Sequence, residues 1–168
     1  MPVGNCYYAR LTVREEDVCS DPGLRGRIHA LGAWESWMGD GGEDFLSVED
    51  GEARNGEFRE IEAELAKLGI PFDRFTDGYG SFQPRERRFR PGREGRPAVD
   101  AEVVLTVDGE PFVVLGRLRE VLRLEDPAVL RARLAELIER AEPVPRLEEW
   151  ARVNPGVWRP SGPARGER

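Results

Sequence analysis

The strongest constraint on the fold is a pair of apolar-rich segments joined by Asp108 and Gly109. Residues 99–107 alternate, with Val99, Ala101, Val103, Leu105 and Val107 on one side. Residues 110–115 are apolar-rich again. Asp-Gly suits the positive φ angles of a type I′ turn, the two-residue connection of a β-hairpin. The sequence therefore predicts an antiparallel hairpin in which Leu105 lies opposite Phe112.

Two other segments have clear periodicity. Residues 7–13 alternate as a half-buried strand does. Residues 58–68 place Phe58, Ile61, Leu65 and Leu68 on one face at helical spacing, which predicts an amphipathic helix. Asn55 is the expected N-cap of this helix, and Gly69 its expected end.

Helix starts and loops are indicated by local chemistry. Asp21-Pro22 and Asp126-Pro127 each place a capping side chain before a proline at the first helical position. Residues 34–43 are rich in glycine and predict a loop, which a short strand follows at 45–48.

These elements predict a single α+β domain over residues 1–142. Its strands and helices do not alternate as regular parallel units, and the best strand pair is antiparallel. We expect a mainly antiparallel sheet packed with two or three amphipathic helices. A chain of 168 residues is long enough to bury a core of its own. Residues 143–168 are proline-rich and are predicted to form a C-terminal tail that Trp150 and Trp158 anchor.

The expected compartment is the cytoplasm. Residues 1–6 have neither a basic start nor an apolar stretch, and no apolar run approaches the roughly 20 residues that span a bilayer. Cys6 and Cys19 are therefore expected to be reduced. Asn and Gln are scarce and prolines number 13, a pattern typical of thermophiles that a GC-rich genome also produces.

Several chemistries are excluded by residue counts. His29 is the only histidine, so a zinc-protease motif and a paired-histidine acid/base site are impossible. Lys67 is the only lysine, and it does not lie in a phosphate-binding loop motif. We therefore predict no catalytic residues, no metal site and no cofactor. One enzymatic hypothesis stays open, a metal-dependent enzyme that uses carboxylates. Its ligands would be Asp73, Asp77, Asp100 and Glu102.

Charge is the most informative functional property. The net charge of −7 disfavours a general affinity for nucleic acid or anionic membranes. The charge is, however, unevenly distributed, since residues 40–64 are strongly acidic and residues 85–96 are rich in arginine. Either segment could meet a partner, or the two could neutralise each other within the molecule.

The first hypothesis is a non-enzymatic protein-binding module, inhibitory or regulatory, that presents an acidic surface to a protein partner. Tryptophans near the acidic segment are typical interface anchors, although core positions are the alternative. The predicted partner-binding residues are Trp34, Trp37, Glu43, Asp44, Glu49 and Asp50.

The second hypothesis is nucleic-acid binding through the arginine-rich segment. Guanidinium groups match phosphates, and exposed phenylalanine rings stack on bases. The residues involved would be Arg85, Arg87, Arg88, Phe89, Arg90 and Arg93. The alternative is that the phenylalanine belongs to the core and the arginines pair with acidic side chains of the same chain.

Overall fold

The computed structural model describes residues 6–78, 83–92 and 97–154. These residues form one antiparallel sheet of six strands together with six helices. The strands are β1 (Cys6–Arg14), β2 (Ala33–Met38), β3 (Asp44–Arg54), β4 (Phe72–Thr76), β5 (Arg85–Arg90) and β6 (Val99–Val104). The helices are α1 (Glu15–Cys19), α2 (Pro22–His29), α3 (Arg59–Leu68), α4 (Leu115–Val121), α5 (Pro127–Ala141) and α6 (Leu147–Val153). The predicted α+β class is confirmed.

The strand order across the sheet is β2-β3-β1-β4-β5-β6. The first four strands, with α1 and α2 after β1 and α3 after β3, follow the split β-α-β-β-α-β connectivity. The last two strands extend this unit at the β4 side. The two edges of the sheet are therefore β2 and β6.

One face of the sheet, called the apolar face, carries the main core. Ala9, Leu11 and Val13 alternate along β1 and are completely or almost completely buried. They pack in one cluster with Ile28 of α2 and Leu65 of α3. Alternation in the strand and helical spacing in the two helices thus meet at one interface.

Helix α2 begins as predicted, because the Asp21 side chain accepts a hydrogen bond from the Leu24 N–H. The predicted cap of α3 is wrong. Asn55 lies in a turn with φ 57°, and the helix is capped at Phe58, whose N–H donates to the Glu62 side chain. Gly69 ends α3 in the left-handed conformation, as expected.

The predicted loop at 34–43 is wrong over residues 34–38, since Ala33–Met38 is strand β2 and pairs along its length with β3, and is confirmed over 39–43, which connect the two strands. The strand lies at the edge and is almost wholly exposed, so burial does not impose the alternation that identifies strands. Residues 40–54 of the acidic segment consequently belong to a β-hairpin, in which β3 runs over 11 residues, and the segment ends within α3.

The hairpin after β6 exists in a different register. Leu105 lies opposite Pro111 rather than Phe112, and the Thr106 N–H donates to the Glu110 carbonyl. Gly109 has φ 80°, which places a left-handed residue at the end of a three-residue loop. This longer loop replaces the predicted two-residue turn, and Phe112 is left exposed.

Helix α5 starts at the predicted Asp126 cap but buries none of its residues completely. The sequence indicated an amphipathic helix. Of its apolar residues, Leu134 and Leu137 are half-buried while Ile138 is exposed. This helix packs against α4 rather than on the sheet.

The C-terminal segment, here residues 142–154, lies against the second face of the sheet. Leu147, Trp150 and Ala151 of α6 form a small cluster with Phe45 of β3. Trp150 therefore acts as the anchor that the sequence suggested, whereas Trp158 lies outside the described residues.

Candidate functional site

The second face of the sheet, called the polar face, is built from rows of side chains that the strand register aligns. One row runs through Glu35, Ser47, Thr12, Asp73 and Arg88, each directly opposite the next on the neighbouring strand. A second row contains Glu49, Arg10, Phe75 and Glu86. Charged and hydroxyl groups thus occupy the positions that alternate with the core residues of the same strands.

Buried arginines of β5 attach the C-terminal segment to this face. Arg88 is fully buried and forms ion pairs with Glu86 (2.7 Å) and Glu142 (2.6 Å). Its Nη1 also donates to the Val144 carbonyl. Arg90 donates to the Pro145 carbonyl and lies 2.7 Å from Asp73. Each guanidinium therefore joins the sheet to residues about 55 positions later in the chain.

A third buried arginine holds the end of the same segment. Arg14 forms a two-point ion pair with Asp17 and donates to the Asn154 carbonyl. The Trp150 ring has Arg14 5.9 Å and Arg90 6.0 Å from its centroid, within reach of cation–π attraction. Paired charges around one aromatic ring thus fix the position of α6.

A cavity of about 390 Å³ opens on the polar face beside α6. That volume lies in the range of small-ligand sites, about 300–1,000 Å³. The sheet contributes two aromatic rings, Trp37 and Phe75, and two hydroxyl groups, Thr12 and Ser47. The two hydroxyl oxygens lie 2.9 Å apart and form a hydrogen bond.

Charged residues complete the lining of the cavity. Five are acidic and two are basic: Glu35, Asp73, Glu86, Asp108 and Glu148, and Arg10 and Arg146. Arg10 lies over the Phe75 ring, and Arg146 donates to the Gly109 carbonyl. The cavity therefore combines aromatic faces with an excess of carboxylates.

Asp73 is the most perturbed acid of the site. It is only 7% exposed, and its Oδ2 accepts a hydrogen bond from the Leu147 N–H. Burial raises the pKa of Asp73 to about 6, against the lowering effect of Arg90. Its Oδ1 forms an ion pair with Arg90, whose Nη2 lies 2.7 Å away.

The two tryptophans predicted to bind a partner point to opposite faces of the sheet. They stand three residues apart on β2, and side chains of a strand alternate. Trp34 lies on the apolar-face side, 53% exposed, and stacks on His29 at 4.4 Å. Trp37 is half-buried on the polar face, stacks on Phe45 and lines the cavity.

The predicted acidic residues lie on the β2–β3 hairpin. Asp44 is exposed, and Glu43, Glu49 and Asp50 are half-buried. Among the described residues, no arginine, lysine or histidine forms an ion pair with any of these four. Burial and a hydrogen bond to Glu49 raise the pKa of Tyr8 to about 12, so Glu49 has an internal partner of another kind.

The arginine-rich segment is internally neutralised wherever the structure describes it. Arg88 and Arg90 are buried in the network above, and Phe89 belongs to the main core. Arg87 pairs with Glu62 and Asp100, and Arg85 pairs with Glu102. Arg93 lies outside the described residues.

The four carboxylates of the enzymatic hypothesis are not brought together. Asp73 belongs to the polar face, whereas Asp100 and Glu102 pair with arginines on the other side of the sheet. Asp77 is exposed beyond the end of β4. Within the described residues, no three His, Cys, Asp or Glu side chains are placed to hold a metal ion.

Sequence reasoning did not single out the cavity. The signal was present in β1, where Arg10 and Thr12 alternate with Leu11 and Val13. This alternation shows that β1 has a polar side, but it does not show which residues of other strands lie next to that side and complete the cavity.

Comparison with models of known protein families, with curated proteins and with solved structures finds no significant match. In the described part of the chain, none of the helices combines the length and the apolar content that crossing a bilayer requires.

Proposed function

We propose that the protein is a non-enzymatic binding module, inhibitory or regulatory in action, that pairs the edge strand β2 with an extended basic segment of a partner protein. The acidic side chains of the β2–β3 hairpin attract the segment. Strand pairing then holds it in register.

The observation that carries the proposal is an asymmetry in charge neutralisation. The described arginines of segment 85–96 are all satisfied by carboxylates of the same chain. Glu43, Asp44 and Asp50 are not satisfied by any basic group of the described residues. The charge left for another molecule near the β2–β3 turn is therefore negative, which favours a basic partner.

The backbone of β2 supports the mode of binding. Among the described strands, β2 pairs only with β3, so the backbone groups along its other edge are open to a further strand. Its residues are almost all exposed, including Met38 at 72%. Addition of a strand to such an edge is a recurring mode of peptide recognition.

The test uses a fluorescein-labelled ten-residue peptide of alternating arginine and threonine, measured by fluorescence anisotropy. We expect saturable binding that weakens as salt is added, because the contributing charges are exposed. Reversing two charges of the hairpin, with Glu43→Lys and Asp44→Lys, should weaken binding at least about tenfold.

Two controls make this result specific. Glu125→Lys with Glu139→Lys changes the net charge equally on exposed positions near α5, and should leave affinity within about threefold. A peptide with glutamate in place of arginine should not bind. Equal loss in both charge-reversed proteins would show that only net charge matters and would refute the edge site.

A single-stranded oligonucleotide in the same assay examines the nucleic-acid alternative. That alternative needs accessible guanidinium groups, and Arg88 and Arg90 are buried.

A further inference from the structure

We infer that the cavity on the polar face is the subsite for an arginine side chain of the bound partner segment. This inference rests on the proposed function, since it assumes a strand beside β2. It adds the chemistry that would give the interaction sequence specificity.

The first argument is geometric. Glu35 and Trp37 are on the edge strand, and both line the cavity. A partner strand paired with β2 would lie about 4.8 Å away, and every second side chain would point to the polar face. A side chain opposite Glu35 would therefore start beside that carboxylate. From there an arginine would reach the part of the cavity nearest the edge strand, which Glu35, Trp37 and Ser47 line.

The second argument is electrostatic. Glu86 and Asp73 are compensated from within the sheet by Arg88 and Arg90. By contrast, Glu35, Asp108 and Glu148 form no ion pair with any residue that the structure describes. Of the two basic residues that line the cavity, Arg146 is 3.9 Å from Glu86. The charges still open to a ligand are thus mainly negative.

The aromatic lining selects a planar cation over a compact one. Trp37 of the edge strand lines the cavity, whereas Phe75, further across the sheet, already has Arg10 5.9 Å from its ring centre. A guanidinium stacks on such faces and also pairs with carboxylates through two parallel hydrogen bonds, which an ammonium does not do.

The experiment titrates Nα-acetyl-L-arginine methylamide into the full ¹⁵N-labelled chain and follows the Trp37 indole N–H and the Gly109 amide by NMR. We expect saturable shifts of both signals, with a dissociation constant on the order of 1 mM. The citrulline analogue, which has the same length and planarity without charge, should bind at least about tenfold more weakly. The lysine analogue should lie between the two.

Paired variants separate the cavity from the edge. Glu35→Gln with Glu148→Gln should weaken binding of the arginine compound about tenfold. Glu43→Gln with Asp44→Asn, which lie outside the cavity, should leave it unchanged. The dispersion of the amide spectrum shows that each variant is folded.

Each outcome decides between the two proposals. If the basic peptide binds but the Trp37 and Gly109 signals do not move, the arginine subsite is refuted and the proposed function stands. Equal binding of the arginine and citrulline compounds would also refute the subsite. If the arginine compound binds in the cavity while the peptide does not bind at all, the proposed function fails and the partner's arginine is no longer the ligand.

Discussion

The two faces of the sheet are formed by the same strands but are held by different interactions. On the apolar face, Leu11 and Val13 of β1 pack against Leu65 of α3 through non-directional contacts. On the polar face, Arg88 and Arg90 of β5 reach the C-terminal segment through ion pairs and hydrogen bonds of fixed geometry. Both faces exclude water from the groups that they bury.

The two faces contribute differently to stability and to structural specificity. Fully burying a leucine side chain contributes about 1.5–3 kcal/mol and tolerates many neighbours. A buried ion pair contributes little net stability, because desolvation offsets the attraction, but breaking one leaves an uncompensated charge. The apolar face therefore supplies stability, while the polar face fixes where the C-terminal segment lies and so shapes the cavity.

The largest expected effect is on the polar face. Arg88→Met keeps an unbranched apolar stem but removes the guanidinium, and so leaves Glu86 and Glu142 without their buried partner. We expect the free energy of unfolding to fall by about 3–5 kcal/mol. Urea unfolding followed by circular dichroism measures it.

Arg119→Met, an exposed position on α4, is the matched control and should change stability by less than about 0.5 kcal/mol. Hydrogen exchange adds a second readout, since Leu147 and Trp150 should lose protection before the main core does. A loss below about 1 kcal/mol for Arg88→Met would show that the pairs are not formed.

A comparable effect is expected from a cavity in the apolar face. Leu65→Ala removes a fully buried side chain from α3, and we expect a loss of about 3 kcal/mol. The same unfolding experiment applies. Here the C-terminal segment should keep its hydrogen-exchange protection relative to the core, which is the reverse of the pattern for Arg88→Met. Identical patterns in the two variants would show that the two faces form one cooperative unit.

The apolar face was largely predictable from the sequence. Leu11 and Val13 repeat every second residue and Ile61 and Leu65 follow helical spacing, so local patterns identify β1 and α3. Helix starts at Asp21 and Asp126 were readable for the same reason, because a cap acts within three residues.

The polar face was not predictable, because its contacts join distant parts of the chain. Arg88 and Glu142 are 54 residues apart, and nothing local indicates their pairing. The row from Glu35 to Asp73 depends on the register of four strands, and a shift of one residue would turn each side chain to the other face. Strand β2 was not recognised because it lies exposed at the edge of the sheet, where a strand need not alternate apolar and polar residues.

A smaller and pH-dependent effect is expected from Asp73, which faces Arg90, Glu86 and the Leu147 N–H. Its folded-state pKa of about 6 lies above the unfolded value of about 3.9, so the folded state binds the proton more tightly. Its contribution to stability is complete below about pH 4 and is lost as pH rises through 6. The total is about 2–3 kcal/mol.

Unfolding free energies of the wild type and Asp73→Asn, measured from pH 4 to 8, isolate the contribution of Asp73 to the pH dependence of stability. The stability of the wild type relative to Asp73→Asn should fall as the pH rises from 4 to 8. The effects of carboxylates that both proteins contain cancel in this difference. Among these is Asp100, whose pKa the hydrogen bond from Arg87 lowers. A difference that stays constant with pH would show that Asp73 has the same pKa in both states.

The smallest effect is expected from an arginine on the same strand as Arg88 but outside the polar face. Arg85 pairs with Glu102 at 2.9 Å, yet its side chain is 47% exposed. Water already solvates both groups, so removing one leaves no buried charge behind. We expect Arg85→Ala to change the free energy of unfolding by less than about 1 kcal/mol, in the same assay as Arg88→Met.

The two arginines are three residues apart on β5 and point to opposite faces of the sheet. A large loss of stability for both variants would mean that the cost of losing an arginine does not depend on how deeply it is buried. A large loss for Arg88 alone would assign the difference to desolvation rather than to the ion pair itself.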